Sequence, residues 1–184
     1  IASFLQERGI SFSSLDDIYK SSKTFDDIYP EMIKKILAAA RNGNVVLGVP
    51  GHPMLGERLT FELIKEVEDS DYQLEIISGI SQGHSVLAAI QQCAVEGIKI
   101  LSAAELPQAQ LDPGIPTLIT RLDNKILAAE IKLKLLTIYP PEVKIIISRL
   151  NQEAASEIEE IFLHMLDHSR NFDHTSCLYL PALE

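Results

Sequence analysis

The sequence predicts an α/β protein of two lobes built on a mostly parallel sheet, and three observations predict it. Short apolar runs alternate with stretches of helical periodicity from "VVLGV" at 45–49 to "CLYLP" at 177–181, the pattern of βαβ units joined by short loops. Several runs are apolar throughout rather than alternating, as inner strands covered on both faces are. Between Leu106 and Pro116 the pattern breaks in "LPQAQLDPGIP", with three prolines and a glycine. That stretch marks a boundary between an N-terminal α/β domain of residues 1–114 and a C-terminal one of 115–184.

Each element has its own signal. In "EMIKKILAAAR" (31–41), Met32, Ile33, Ile36, Leu37 and Ala40 share one face at helical spacing, and Asn42-Gly43 stops the helix. "VVLGV" reads as a short buried strand. A helix follows from about Gly56 to Val67, with Leu55, Leu59, Leu63 and Val67 four apart. "YQLEIIS" (72–78) is the next strand, "HSVLAAIQQC" (84–93) a helix and "IKIL" (98–101) a strand. Beyond the proline-rich break, "TLITRL" (117–122) is a strand. Leu127, Ile131, Leu135 and Ile138 line a helix, and "VKIIIS" (143–148) is a strand. Segment 157–167 fits a helical face through Ile158, Ile161, Phe162, Met165 and Leu166. "CLYLP" closes the chain as a strand.

Bulk properties remove several function classes. The 184 residues carry a formal net charge of −10, and no basic run offers the Lys and Arg that phosphate-backbone binding needs. Nucleic acid is therefore not an expected partner. No apolar stretch approaches the roughly 20 residues of a membrane span. Cys93 and Cys177 are far apart and form no C-x-x-C pattern, so two small hydrophobes in a reducing cytoplasm are expected. His164 and His168 flank Asp167 at helical spacing, but no third ligand lies near, and no metal site is expected. No Walker loop or G-x-S-x-G elbow is present.

Chemistry concentrates at two turns, "VPGHP" and "SGISQG", each after an apolar run and before a helix. In open α/β sheets ligands sit beyond the carboxyl ends of strands. Glycine admits a ligand close to the backbone, and free amides at a helix start hold polar ligand atoms. A strand-to-helix corner needs Gly and Pro as well, so from residues alone each turn is either a ligand loop or a corner.

Taken in order, "LQERGISFSSLDDIYKSSKTFDDIYPEMIKKILAAARNGNVVLGVPGHPMLGERL", "LEIISGISQGHSVLAAI" and "TSCLYLP" resemble the tetrapyrrole (corrin/porphyrin) methylase family. The similarity is greatest to the branch fused ahead of a MazG-type nucleotide pyrophosphohydrolase. The resemblance implies two α/β domains with a cleft between them, a homodimer, and transfer of a methyl group from S-adenosylmethionine to a small-molecule acceptor, a tetrapyrrole among the candidates. It implies cofactor contacts from Pro50, Gly51, His52, Pro53 and Met54, from Ser81 and Gln82 beside Ile80, and from Thr175 and Ser176. It names no catalytic base. Two departures accompany it. The family opens with a strand and a G-x-G-P-G turn absent here, which implies a missing opening of about one βαβ unit, roughly 30 residues. The family's loop reads Gly-Asp-Pro, and His52 stands where the acid would. An imidazole does not reproduce a carboxylate beside a sulfonium cation, which points to a different ligand or a retired activity. The resemblance also implies a strand near 158–162, giving strand then helix in place of the helical count.

Overall fold

A computed structural model describes residues 2–21, 25–150, 156–169 and 172–183. These divide into two compact units, residues 1–79 and 80–184. The boundary falls earlier than the proline-rich stretch the sequence favours. The reason is strand pairing: Lys99–Ser102 lies parallel to Thr117–Thr120, so the segment "LPQAQLDPGIP" connects neighbours within one sheet.

The first unit is helical in its regular structure. Helices α1 (Ala2–Glu7), α2 (Asp16–Ser21), α3 (Phe25–Ala40) and α4 (Arg58–Glu68) are its elements. Pro30 sits inside α3. The expected periodicity fixes its buried face: Ile28, Met32 and Ile33 pack with Leu59 and Leu63 of α4, and Ile36, Leu37 and Val67 close the edges. Each fully buried aliphatic side chain contributes about 1.5–3 kcal/mol of transfer free energy. Leu55 lies outside α4 and is exposed.

The strands expected at 45–49 and 72–78 do not form among the described residues. Both runs lack ladder pairing, and several of their apolar side chains face out, with Val46 91% and Ile77 76% exposed, while Leu47 packs against the α3–α4 core. A strand is defined by the hydrogen bonds of a neighbour, and an apolar run without one has the composition of a strand but not its structure.

The second unit holds a five-stranded sheet of order β1-β2-β5-β3-β4. The strands are β1 (Lys99–Ser102), β2 (Thr117–Thr120), β3 (Lys144–Leu150), β4 (Ser156–Phe162) and β5 (Ser176–Leu180). The expectation of a mostly parallel sheet is overturned: β1–β2 is parallel, whereas β2–β5, β5–β3 and β3–β4 are antiparallel. The last strand inserts between β2 and β3, an arrangement that chain order alone does not reveal. Apolar composition misled because both faces of this sheet are covered. Ile145 and Ile147 point into one core with Ile119, Leu178 and α6 (Lys125–Leu135). Ile146 turns to the other face with Leu118, Cys177, Tyr179 and Val86 of α5 (Gln82–Ala89).

Helix α5 begins two residues earlier and ends four earlier than the sequence placed it. Ser81 caps its start, and Gln91 takes φ 55 just beyond its end. Segment 157–167 is a strand to Phe162 and then a 3-10 turn over Leu163–His168. The strand-then-helix order implied by the resemblance holds, and the helical face count does not. Strand pairing with β3 overrides the local periodicity, since Ile161 meets Ile145 and Glu159 meets Ile147.

Candidate functional site

The first turn belongs to the first unit. Pro50 leads into Gly51, which takes φ +81, a left-handed conformation that side chains with a Cβ disfavour. The His52 ring then folds back on its own turn. The Met54 amide donates to His52 Nδ1 at 3.1 Å, and the Leu55 amide donates to the His52 carbonyl at 3.0 Å. Because Nδ1 accepts, the ring proton sits on Nε2. His52 therefore presents a donor outward, the opposite polarity to a carboxylate at the same place. His52 and Pro53 are half-buried, while Pro50, Gly51 and Met54 are exposed.

The second turn meets the first at glycine. A Cβ placed on Gly79 would run into the carbonyl oxygen of Gly51 and lie 3.7 Å from the His52 Cα. Gly51 and Gly79 thus abut within the first unit, backbone against backbone, where a side chain on Gly79 would separate them.

The rest of the "SGISQG" motif opens α5 in the second unit. Ser81 is 6% exposed. Its Oγ accepts from the His84 amide at 3.3 Å and lies 2.7 Å from His84 Nδ1, which caps the helix. Gly83 is buried because α5 lies tight on the sheet: a Cβ there would sit 3.2 Å from Leu118 Cδ2 and 3.4 Å from Ile100 Cδ1. Gln82 reaches across 93 residues of sequence, and its Nε2 donates to the Thr175 carbonyl at 2.6 Å.

Thr175 and Ser176 enter β5 from a turn organised by Asp173, a residue that sequence reasoning missed. Asp173 Oδ1 accepts from the Thr175 amide at 2.7 Å, from Thr175 Oγ1 at 2.6 Å and from Ser176 Oγ at 3.3 Å. The Asp173 amide in turn donates to Ser176 Oγ at 3.0 Å. The Thr175 hydroxyl holds the Asp173 carboxyl below the ordinary carboxylate range, burial opposes, and the Thr175 amide and His174 add to the lowering. The signal in sequence is the D-x-T-S spacing, an Asx turn opening a strand. Next to it, burial pushes the Cys177 thiol up to about 12.

The structure therefore brings Ser81, Gln82, Thr175 and Ser176 into one neighbourhood on the second unit. It places Pro50, Gly51, His52, Pro53 and Met54 together on the first. Among the described residues no group of three or more His, Cys, Asp or Glu is placed to hold a metal ion. His164 Nδ1 donates to the Pro141 carbonyl at 2.9 Å, and Asp167 is taken by Lys132 at 2.6 Å. No helix of the described residues is long and apolar enough to cross a membrane.

Comparison with known proteins gives three results. Residues 1–162 match the family model of the Tetrapyrrole (Corrin/Porphyrin) Methylases. A Bacillus subtilis (strain 168) protein called uncharacterized protein YabN is 26% identical over 169 residues; the match takes in 92% of this chain and 35% of that protein. The chain thus spans about a third of the length of this relative. Among solved structures, uroporphyrin-III-C-methyltransferase from Thermus thermophilus aligns at TM-score 0.65 and 16% identity, over 83% of this chain and 68% of that one. Diphthine synthase aligns at TM-score 0.60 and 16% identity, over 84% and 66%. The Thermus thermophilus uroporphyrin-III C-methyl transferase complexed with S-adenyl homocysteine aligns at 0.57 and 13%, over 86% and 73%. At these identities the structural likeness is one of fold.

Proposed function

Because the chain belongs to the tetrapyrrole (corrin/porphyrin) methylase family, we propose that it binds S-adenosylmethionine and transfers its methyl group to a small-molecule acceptor. The cofactor supplies an electrophilic methyl on a sulfonium, so positioning is the main task left to the protein. The contacts we assign are Pro50, Gly51, His52, Pro53 and Met54 on the first unit, and Ser81, Gln82, Thr175 and Ser176 on the second.

The observation that carries this reading is the hydrogen bond from Gln82 to the Thr175 carbonyl. Two motifs chosen separately for the same role lie side by side. The chain's own residues then divide the work. Gly79 lets its backbone lie against the Gly51 carbonyl and holds the first-unit turns together. The second turn of residues, Asp173 to Ser176, fixes Thr175 through its hydroxyl and amide. His52 donates through Nε2 and, with Nδ1 engaged by Met54, orients a ligand oxygen rather than removing a proton from the acceptor. The Nε2 donor of His52 suits an oxygen acceptor of an adenosyl ligand.

A second reading has its own support in the polarity of His52. A donor in place of the family's acid favours a non-catalytic domain that senses S-adenosylmethionine or a nucleotide and regulates an attached MazG-type hydrolase. The partnership with such a domain, a homodimeric state and a cytoplasmic location belong to this same proposal.

The deciding experiment pairs calorimetry of S-adenosylhomocysteine with a methyl-transfer assay using labelled donor and a panel of tetrapyrroles. Binding with turnover supports the methylase. Binding without turnover supports the sensor. Neither heat nor thermal shift at millimolar ligand removes both.

A further inference from the structure

A groove between α3 and α4 of the first unit has a volume of about 730 Å³. Tyr29, Pro30 and Leu37, with the buried Ile33, form its apolar floor, and the cations Lys34, Arg41, Arg58 and Lys65 line it with Glu62 and Glu66. Four of the chain's sixteen Lys and Arg residues thus line one groove of a protein whose net charge is −10.

The cations come in two rows. Lys34 and Arg41 are seven residues apart on the α3 wall, and the Arg41 amide still bonds back to the Leu37 carbonyl at 3.2 Å, so helical spacing holds to the end. Arg58 and Lys65 are seven apart on the α4 wall. At a rise of 1.5 Å per residue, each pair spans roughly 10 Å along the groove. Two turns of a helix laid between the walls have the same length, and an apolar stripe on that helix would meet the floor.

The charges also decide against a compact anion. Arg58 is paired with Glu62 at 2.8 Å, and Lys65 lies 4.0 Å from the same carboxylate and 4.1 Å above the Phe61 ring. Glu66 adds a second negative charge on that wall. Only the α3 wall is purely cationic: Lys34 and Arg41 are exposed, and no ion pair is formed by either among the described residues. A phosphate cluster would meet two carboxylates, whereas a helix with acids on one flank and mixed charge on the other matches both walls.

We propose that the α3–α4 groove docks an amphipathic helix of a partner protein, its apolar stripe on Tyr29, Pro30 and Leu37 and its acidic flank against Lys34 and Arg41. The inference is independent of the methyl-transfer reading. The probe is a fluorescein-labelled stapled helix of about 18 residues, with a leucine stripe and two glutamates two turns apart on one flank. Fluorescence anisotropy against the protein is expected to show saturable binding, weakened about tenfold or more by Lys34→Glu with Arg41→Glu. A peptide carrying lysines in place of those glutamates is expected to recover affinity on the double variant alone. Both substitutions are at exposed positions, and unchanged melting by circular dichroism shows that the fold survives. Absence of saturable binding, equal binding of both peptides, or failure of the charge swap overturns the proposal. So does stoichiometric competition by inorganic tripolyphosphate, which would mark a small-anion site.

Discussion

Single atoms settle the character of the candidate turns. Gly79 has no room for a Cβ against the Gly51 carbonyl, so Gly79→Ala is expected to destabilise the protein by more than about 2 kcal/mol, read by thermal melting. Alanine at Gly9, where a Cβ would meet nothing within 4 Å, tests the contrast, since only backbone conformation resists there. The two cysteines are expected to part in reactivity. Cys93 is exposed and Cys177 is buried with its thiol pushed up to about 12. Alkylation of the native protein near pH 8, followed by mass spectrometry, is expected to label Cys93 alone, because the thiolate is the reactive form. The glycines were legible in the sequence because spacing exposes them. Asp173 was not singled out, because its role depends on a turn closing over Thr175 and Ser176, and four-residue polar spacings are common on surfaces.

Elements add the effects of caps and ion pairs. Ser81 is buried and caps α5, so Ser81→Ala is expected to cost about 1 kcal/mol. Lys132 of α6 holds Asp167 at 2.6 Å, with side chains only 17% and 23% exposed. Its hydrogen bond lowers the Asp167 carboxyl below its ordinary value of 3.8, against an opposing desolvation. A depressed folded value means that the pair stabilises the fold above pH 3.8 and that this contribution is lost as pH falls through the lower folded value. Asp173 has the same sign. Acid unfolding followed by circular dichroism should therefore begin below about pH 4 and shift upward in Lys132→Ala, which also loses about 1–2 kcal/mol at neutral pH. Helices α3, α4 and α6 were legible because burial and periodicity coincide in them. The runs at 45–49 and 72–78 carried the right composition but form no ladder, and β4 carried a helical period that pairing with β3 overrode. Strand identity is a property of two segments, and one-dimensional patterns report only one.

At the scale of the whole molecule, the α/β class and the family were legible from the order of several weak motifs. The sheet's mixed topology was not, because inserting β5 between β2 and β3 leaves no local mark on either strand. Membership in the tetrapyrrole methylase family makes S-adenosylmethionine the cofactor to test, and the two sets of assigned contacts make the test specific. The most direct measurement is calorimetric titration of S-adenosylhomocysteine into the protein and into its His52→Ala and Gln82→Ala variants. Saturable binding is expected, weakened about tenfold in each variant, as loss of roughly 1.4 kcal/mol of contact requires. Binding that is unchanged in both variants would return the turns to the role of structural corners, and no binding by the unaltered protein at millimolar ligand would rule out S-adenosylmethionine as its cofactor.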